Sequence, residues 1–326
     1  MAPLRLVFMG SDPIACPLLD WLAGEGAAQA SLVAVYTQPD RPVGRGQRVA
    51  ANGVKLWAAA RGLPVYQPEK LTESVRGELA ALRPDLVLVM AYGHILRQDF
   101  IDTPRLGTLN LHASILPRFR GASPIQTAVA AGVTETGVSL MRIVRQLDAG
   151  PVADVERVPV GPLDTAADIE GRLAGACVPL VRRALPALTA GRLAFVEQPA
   201  VGVTFCRRLV KDDGVLDFSA PASVLAARIN GLFPWPACQT EIAGQPIKLG
   251  LADAVEGSGS PGQVVGADEA GLLVATGKGV LRLRRLQRPG GRMLPAPEFL
   301  RGFPVATGTP LPSRPLPVLE AASPFR

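Results

Sequence analysis

The 326-residue chain is 48% apolar and 19% charged, with a formal net charge of +6; that balance excludes an intrinsically disordered protein and leaves room for two folded domains. No run of about 18 uninterrupted apolar residues occurs, and the chain enters an apolar strand at Leu4 with no basic leader, so a cytoplasmic protein without a membrane span is expected. Cys16, Cys177, Cys206 and Cys238 are scattered without a C-x-x-C pair, and only His94 and His112 could join them, so reduced core cysteines and no metal site are expected.

The apolar run 4–9 ends at Gly10 and reads as a buried first strand. Asp12 and Pro13 then suit the start of a helix carrying Leu18, Leu19 and Leu22, and a second strand follows over 32–36. Strand, helix, strand in this order predicts a parallel α/β sheet. The turn after Gly10 is not G-x-G-x-x-G, which argues against a dinucleotide-binding site. Residues 37–52 hold two prolines, Gly44, Gly46 and the arginines Arg41, Arg45 and Arg48, with only Asp40 against them. Such a segment reads as a long loop, and long loops in compact domains are usually functional. The run 85–91 is apolar after Asp85 and is expected near the sheet centre.

Residues 107–112 alternate as a strand does, so Asn110 and His112 share one face. A loop rich in proline, arginine and glycine follows. A strand over 136–144 then delivers Asp148 onto a loop closed by Gly150 and Pro151. Asp148 can orient and charge-stabilise the imidazole, His112 can move a proton, and the Asn110 amide can donate to a developing oxyanion. No serine or cysteine is forced into this set, which favours direct transfer to an external nucleophile. Taken alone, so sparse a set is more often a satisfied structural histidine. Asp164 is expected to cap a long helix ending near Gly191, where the first domain closes.

Residues 191–206 read as a linker, and from 207 short strands punctuated by glycines suggest a small barrel. Arg282, Arg284, Arg285, Arg288 and Arg292 fall within eleven residues that contain no acid. Clustered arginine suggests a phosphate-backbone partner, with a solvated face as the alternative. Residues 303–326 hold six prolines and are expected to form an irregular tail.

Several motifs occur together. The stretch from Asn110 through His112, Ser114, Leu116 and Pro117 to Gly121 has the form N-x-H-x-S-x-L-P-x-x-x-G. It is followed by Leu147-Asp148-Ala149-Gly150 and accompanied by the 37–46 segment, Gly62 to Pro68, Phe233 to Pro236 and Ala275 to Gly279. On these residues the chain, from about residue 4 to 302, resembles the folate-dependent formyltransferases, and among them the methionyl-tRNA formyltransferase family. The resemblance implies a Rossmann-like open sheet with a second, smaller OB-like β-barrel domain. It implies domains at 1–190 and 207–302, a linker at 191–206 and a proline-rich tail at 303–326. It implies formyl transfer from 10-formyltetrahydrofolate to methionyl initiator tRNA by a monomer. Asn110, His112 and Asp148 would be catalytic, and Ser114, Ile115, Leu116 and Pro117 would hold the folate. Arg41, Arg45, Arg48, Arg282, Arg284 and Arg288 would meet the tRNA.

The chain departs from the family pattern at Ile115, where leucine is usual, at Phe119, where tryptophan is usual, and at Ile14, where an aromatic is common. A formyltransferase acting on a small amine, such as a sugar nucleotide or glycinamide ribonucleotide, is one alternative. The basic loop and the second domain argue against it. A non-catalytic RNA-binding relative is the other, and the intact Asn110, His112 and Asp148 argue against that.

Overall fold

The structure, a computed structural model, describes residues 2–43 and 46–325. The chain begins with β1 (Leu4–Gly10), α1 (Cys16–Ala23), β2 (Ala30–Tyr36), β3 (Arg41–Val43), β4 (Arg48–Ala50), α2 (Gly53–Ala59), β5 (Val65–Tyr66), α3 (Glu73–Ala81) and β6 (Leu86–Met90). It continues with α4 (Gln98–Ile101), β7 (Thr108–His112), β8 (Arg120–Gly121), α5 (Pro124–Ala130), β9 (Glu135–Arg142), β10 (Val152–Pro159) and α6 (Ala166–Thr189). Then come β11 (Phe205–Cys206), α7 (Ala222–Leu232), β12 (Gln239–Ile242), β13 (Gln245–Val255), β14 (Val264–Ala267), β15 (Leu272–Ala275), β16 (Val280–Gln287), β17 (Leu294–Pro295), α8 (Ala296–Gly302) and β18 (Glu320–Ala321).

The first sheet has seven strands in the order β10-β9-β7-β6-β1-β2-β5. β1 pairs in parallel with both β2 and β6, and β6 in parallel with β7. β6 and β1 sit centrally because Leu86–Met90 and most of Leu4–Gly10 are buried, as a strand covered on both faces requires. Val7, Met9, Ala34, Val87, Val89, Tyr92 and Phe100 belong to one core cluster of this sheet. β9 turns antiparallel against β7, which places Ser139 opposite His112 and Met141 opposite Asn110.

The segment 37–52, expected to be without strands, holds the antiparallel hairpin of β3 and β4, with Arg41 opposite Ala50. Its base is tied rather than loose. Thr37 Oγ1 donates to Asn52 Oδ1 at 3.0 Å, Asn52 Nδ2 donates to Gln38 O at 3.1 Å, and Asn52 Oδ1 caps α2 through Lys55 N at 3.0 Å. Arg41 and Arg48 are exposed on the hairpin, and Arg45 lies outside the described residues. At the start of α6 the cap is Thr165 rather than Asp164. Thr165 N donates to the Asp168 carboxylate at 2.9 Å while Asp168 N donates back to Thr165 Oγ1 at 3.4 Å.

The contacts divide the chain into two compact units: 1–120, 137–158 and 171–203 form one, and 121–136, 159–170 and 204–326 the other. Two segments that the sequence places in the first domain, 121–136 and 159–170, therefore pack with the second unit. The second unit carries an antiparallel sheet in the order β12-β13-β16-β15-β14, with β17 beside β16, and forms a smaller, barrel-like domain. Its core takes Leu249, Leu281, Leu283 and Leu286 from the sheet and Leu225, Ile229 and Leu232 from α7.

Residues 303–325 are irregular over most of their length, as expected, with β18 their one strand, yet they are seated on the second unit. Leu311 and Leu319 are 6% and 7% exposed within the same core, β18 pairs antiparallel with β11, and Leu311 N donates to Gly262 O at 2.7 Å. Proline removes backbone donors but leaves carbonyls, and Arg228 Nη2 donates to Pro317 O at 3.1 Å. Leu319→Ala is expected to destabilise the second unit by about 2–5 kcal/mol, the usual loss for a buried leucine. Chemical denaturation followed by fluorescence measures it, and a loss under about 0.5 kcal/mol, within the range of surface substitutions, would make the segment peripheral.

Candidate active site

Asn110 and His112 come from the last three residues of β7 and face the same way, because alternate residues of a strand share a face. His112 is 6% exposed. Its Nε2 lies 2.9 Å from Phe119 O, so this nitrogen carries the hydrogen and donates it to the carbonyl. Phe119 has φ 58°, a conformation that a bulky residue keeps only where its surroundings impose it. The other ring nitrogen, Nδ1, faces Asp148 Oδ2 at 3.6 Å, a charge-pair distance.

The loop after β9 brings Asp148 there. Asp148 has φ 47°, which aspartate tolerates better than most residues. Gly150 closes the loop against the start of the same turn: a Cβ there would stand 1.9 Å from Arg142 O. Asn110 is half-buried, and its side-chain amide makes no hydrogen bond among the described residues. The strand end thus holds an uncommitted amide donor beside an imidazole whose second nitrogen is turned to a carboxylate.

Ser114, Ile115, Leu116 and Pro117 form the turn after β7. Ser114 is fully buried, and its Oγ donates to Arg118 O at 2.7 Å. Ser139 of β9 braces this turn from below, donating to Ser114 O at 2.7 Å and accepting from Leu116 N at 3.1 Å. Sequence reasoning missed Ser139. The one signal was a lone serine inside the otherwise apolar run Val138–Met141.

Arg120, the residue before the last glycine of the signature, is another that sequence reasoning missed. Its guanidinium is partly buried: burial lowers its proton affinity, and the nearby Asp148 charge offsets part of that. Arg120 Nε and Nη2 donate to Gln198 Oε1 at 3.1 and 2.7 Å.

Of the arginines expected to meet the tRNA, Arg282 and Arg284 are engaged with acids of the second unit itself. Arg282 and Arg284 do share one face of β16, but both donate to the Asp253 carboxylate of β13, each with one bond of 2.6 Å, and Arg282 also reaches Asp268 at 3.0 Å. Burial pushes Asp253 up, but hydrogen bonds from Arg282 and Arg284 outweigh it and hold the carboxylate below its usual range. Arg285 and Arg288 are exposed and have no acidic partner among the described residues; Arg292 stands 3.8 Å from Glu298. No three His, Cys, Asp or Glu side chains among the described residues are grouped as metal ligands are.

The formyl transferase family profile matches residues 4–185, and the formyl transferase C-terminal domain profile matches residues 208–304. The methionyl-tRNA formyltransferase of Ectopseudomonas mendocina is 46% identical over 292 residues, covering 89% of this chain and 92% of that protein. The methionyl-tRNA formyltransferase of Aromatoleum aromaticum is 42% identical over 308 residues, covering 94% and 96%. Among solved structures, the sugar 3N-formyl transferase WlaRD shares the fold at TM-score 0.64 and 15% identity, covering 89% of this chain and 99% of that one. HypX from Aquifex aeolicus, in complex with tetrahydrofolic acid, does so at TM-score 0.58 and 17% identity, covering 91% of this chain and 47% of that one. With both halves of the formyl transferase architecture matched and close relatives aligned almost end to end, the chain belongs to the methionyl-tRNA formyltransferase family.

Proposed function

We propose that the protein transfers the formyl group of 10-formyltetrahydrofolate to the α-amino group of methionyl initiator tRNA, acting as a cytoplasmic monomer without a metal. The observation that carries the reading is the juxtaposition of the uncommitted Asn110 amide with His112 and the Asp148 carboxylate 3.6 Å from its Nδ1. The amine nitrogen attacks the formyl carbon, and the carbonyl oxygen becomes an oxyanion that the Asn110 amide stabilises. The new N–C bond stays, the bond from the formyl carbon to the folate nitrogen breaks, and the proton lost by the amine ends on that nitrogen. His112 and Asp148 carry this proton and stabilise the charge that accompanies it. The turn from Ser114 to Pro117, fixed by Ser139, is the folate-binding element.

The tRNA phosphates are met by Arg41 and Arg48 on the hairpin, by Arg45, which lies outside the described residues, and by Arg285 and Arg288 on the second unit. Arg282 and Arg284 hold Asp253 instead. Changing Arg285 and Arg288 to glutamine is expected to flatten the log–log salt dependence of tRNA affinity by somewhat under one unit per lost phosphate contact. Changing Arg282 and Arg284 is expected to lower the unfolding midpoint, since Asp253 would be left without a partner. Equal slopes for wild type and the Arg285/Arg288 variant would remove this surface from the tRNA contacts.

The deciding assay supplies 10-formyltetrahydrofolate with charged initiator tRNA, an amino sugar nucleotide, or glycinamide ribonucleotide. Formylmethionyl-tRNA as the sole efficient product supports the reading. Efficient transfer to either small amine with none to tRNA overturns it.

A further inference from the structure

We infer that Gln198, in the segment that leaves the first unit, is a positioning residue that sets both sides of the His112–Asp148 pair. The inference rests on the formyl-transfer reading above. Its geometry lies entirely within the first unit.

The segment is docked in three steps. Phe195 lies under the Arg142 guanidinium, 4.1 Å from its centre to the ring centroid, at the residue where the Asp148 loop departs from β9. Val196 then forms a two-bond antiparallel bridge with Val152, the first residue of β10, at 2.8 and 2.9 Å. The Asp148 loop is therefore held at its departure and at its return. Two residues beyond the bridge, Gln198 turns its amide inward. Nε2 donates to Asp148 O and to Gly150 O, both at 2.8 Å, and Oε1 accepts both bonds from Arg120.

All the polar capacity of one amide is used, two donors and a twice-used acceptor, and each partner matters to the chemistry. Asp148 O belongs to the left-handed residue whose carboxylate faces His112. Arg120 follows Phe119, whose carbonyl holds His112 Nε2. One side chain thus spans the loop that bears the carboxylate and the turn that orients the imidazole. Glutamine suits this place because a glutamate would present oxygens to two carbonyls, and a shorter asparagine would not reach both sides. A displacement of about 1 Å in a catalytic group costs on the order of 10²-fold in rate, so the effect of loosening this brace falls on turnover and not on substrate binding.

The experiment compares wild type, Gln198→Leu and Gln198→Glu in the full chain, using charged initiator tRNA and 10-formyltetrahydrofolate. The leucine variant is expected to lose 10- to 100-fold in kcat, with both KM values within about twofold. The glutamate variant, which keeps the Arg120 acceptor but loses both donors, is expected to fall with the leucine variant. Three results overturn the inference: a leucine variant within twofold of wild-type kcat, a loss shared equally by kcat and both KM values, or a glutamate variant as active as wild type. A glutamate variant alone decides the matter if the leucine variant does not fold. A wild type that forms no formylmethionyl-tRNA fails the functional reading itself and is told apart by that control.

Discussion

Asn110→Ala is expected to lower kcat for formyl transfer by about 10²-fold or more, the usual loss for one oxyanion donor and equivalent to about 2.7 kcal/mol of transition-state stabilisation. The Asn110 amide is uncommitted among the described residues, so the alanine variant leaves no buried partner unsatisfied and the fold is expected to survive. His112→Ala is expected to do at least as much harm to turnover. It also abandons the Phe119 carbonyl and the Asp148 carboxylate, so its unfolding midpoint is expected to fall as well. Folate affinity is expected to hold within about twofold in the Asn110 variant, because the turn from Ser114 to Pro117 is fixed independently by Ser139. Single-turnover kinetics and a folate titration measure the two quantities. Near wild-type turnover in both variants would remove these residues from the chemistry.

Gly150→Ala is expected to be the most damaging substitution outside the reacting groups. Its Cβ would stand 1.9 Å from Arg142 O and 3.0 Å from Arg142 C, backbone atoms that cannot swing aside. The loop must open, and Asp148, two residues earlier, moves with it. A loss of about 10²-fold in kcat is expected, together with a lower unfolding midpoint. Gly171→Ala is the matched control: beyond the backbone of its own helix turns, nothing lies within 4 Å of its added Cβ in α6, and alanine favours a helix by about 0.5–1 kcal/mol. If the Gly150 variant keeps full turnover, the placement of Asp148 does not depend on the tight closure of its loop.

Much of this architecture was legible in the sequence, for local reasons. β1, β2 and β6 are apolar runs of strand length, and their order with α1 between the first two predicts the parallel sheet. Asn110 and His112 declare a shared face by their spacing alone. Asp148 is announced by the glycine that follows it. What escaped depends on pairing between distant residues. The partnership of Arg282 and Arg284 with Asp253 spans about thirty residues and exists only through the register of β13 with β16. The eleven acid-free residues around the arginines therefore gave no hint of it. The β3–β4 hairpin was hidden because its prolines and glycines read as loop. Gln198 sits where no periodicity marks an element. The 303–326 segment has too few apolar residues to show a pattern, yet Leu311 and Leu319 suffice to seat it.

The interleaving of the two units governs how this protein can be cut and recombined. α5 lies early in the chain but packs on α7, so closely that a Cβ on Gly231 would stand 2.2 Å from Ala130 N. The backbone passes from one unit to the other after residues 120, 136, 158, 170 and 203. A chimera joined near residue 205 would graft a foreign α7 onto the resident α5, a helix shaped for another partner. The natural module for exchange is a barrel that carries residues 121–136 and 159–170 along with it, and a fusion that ignores this inherits a mismatched seam at Gly231.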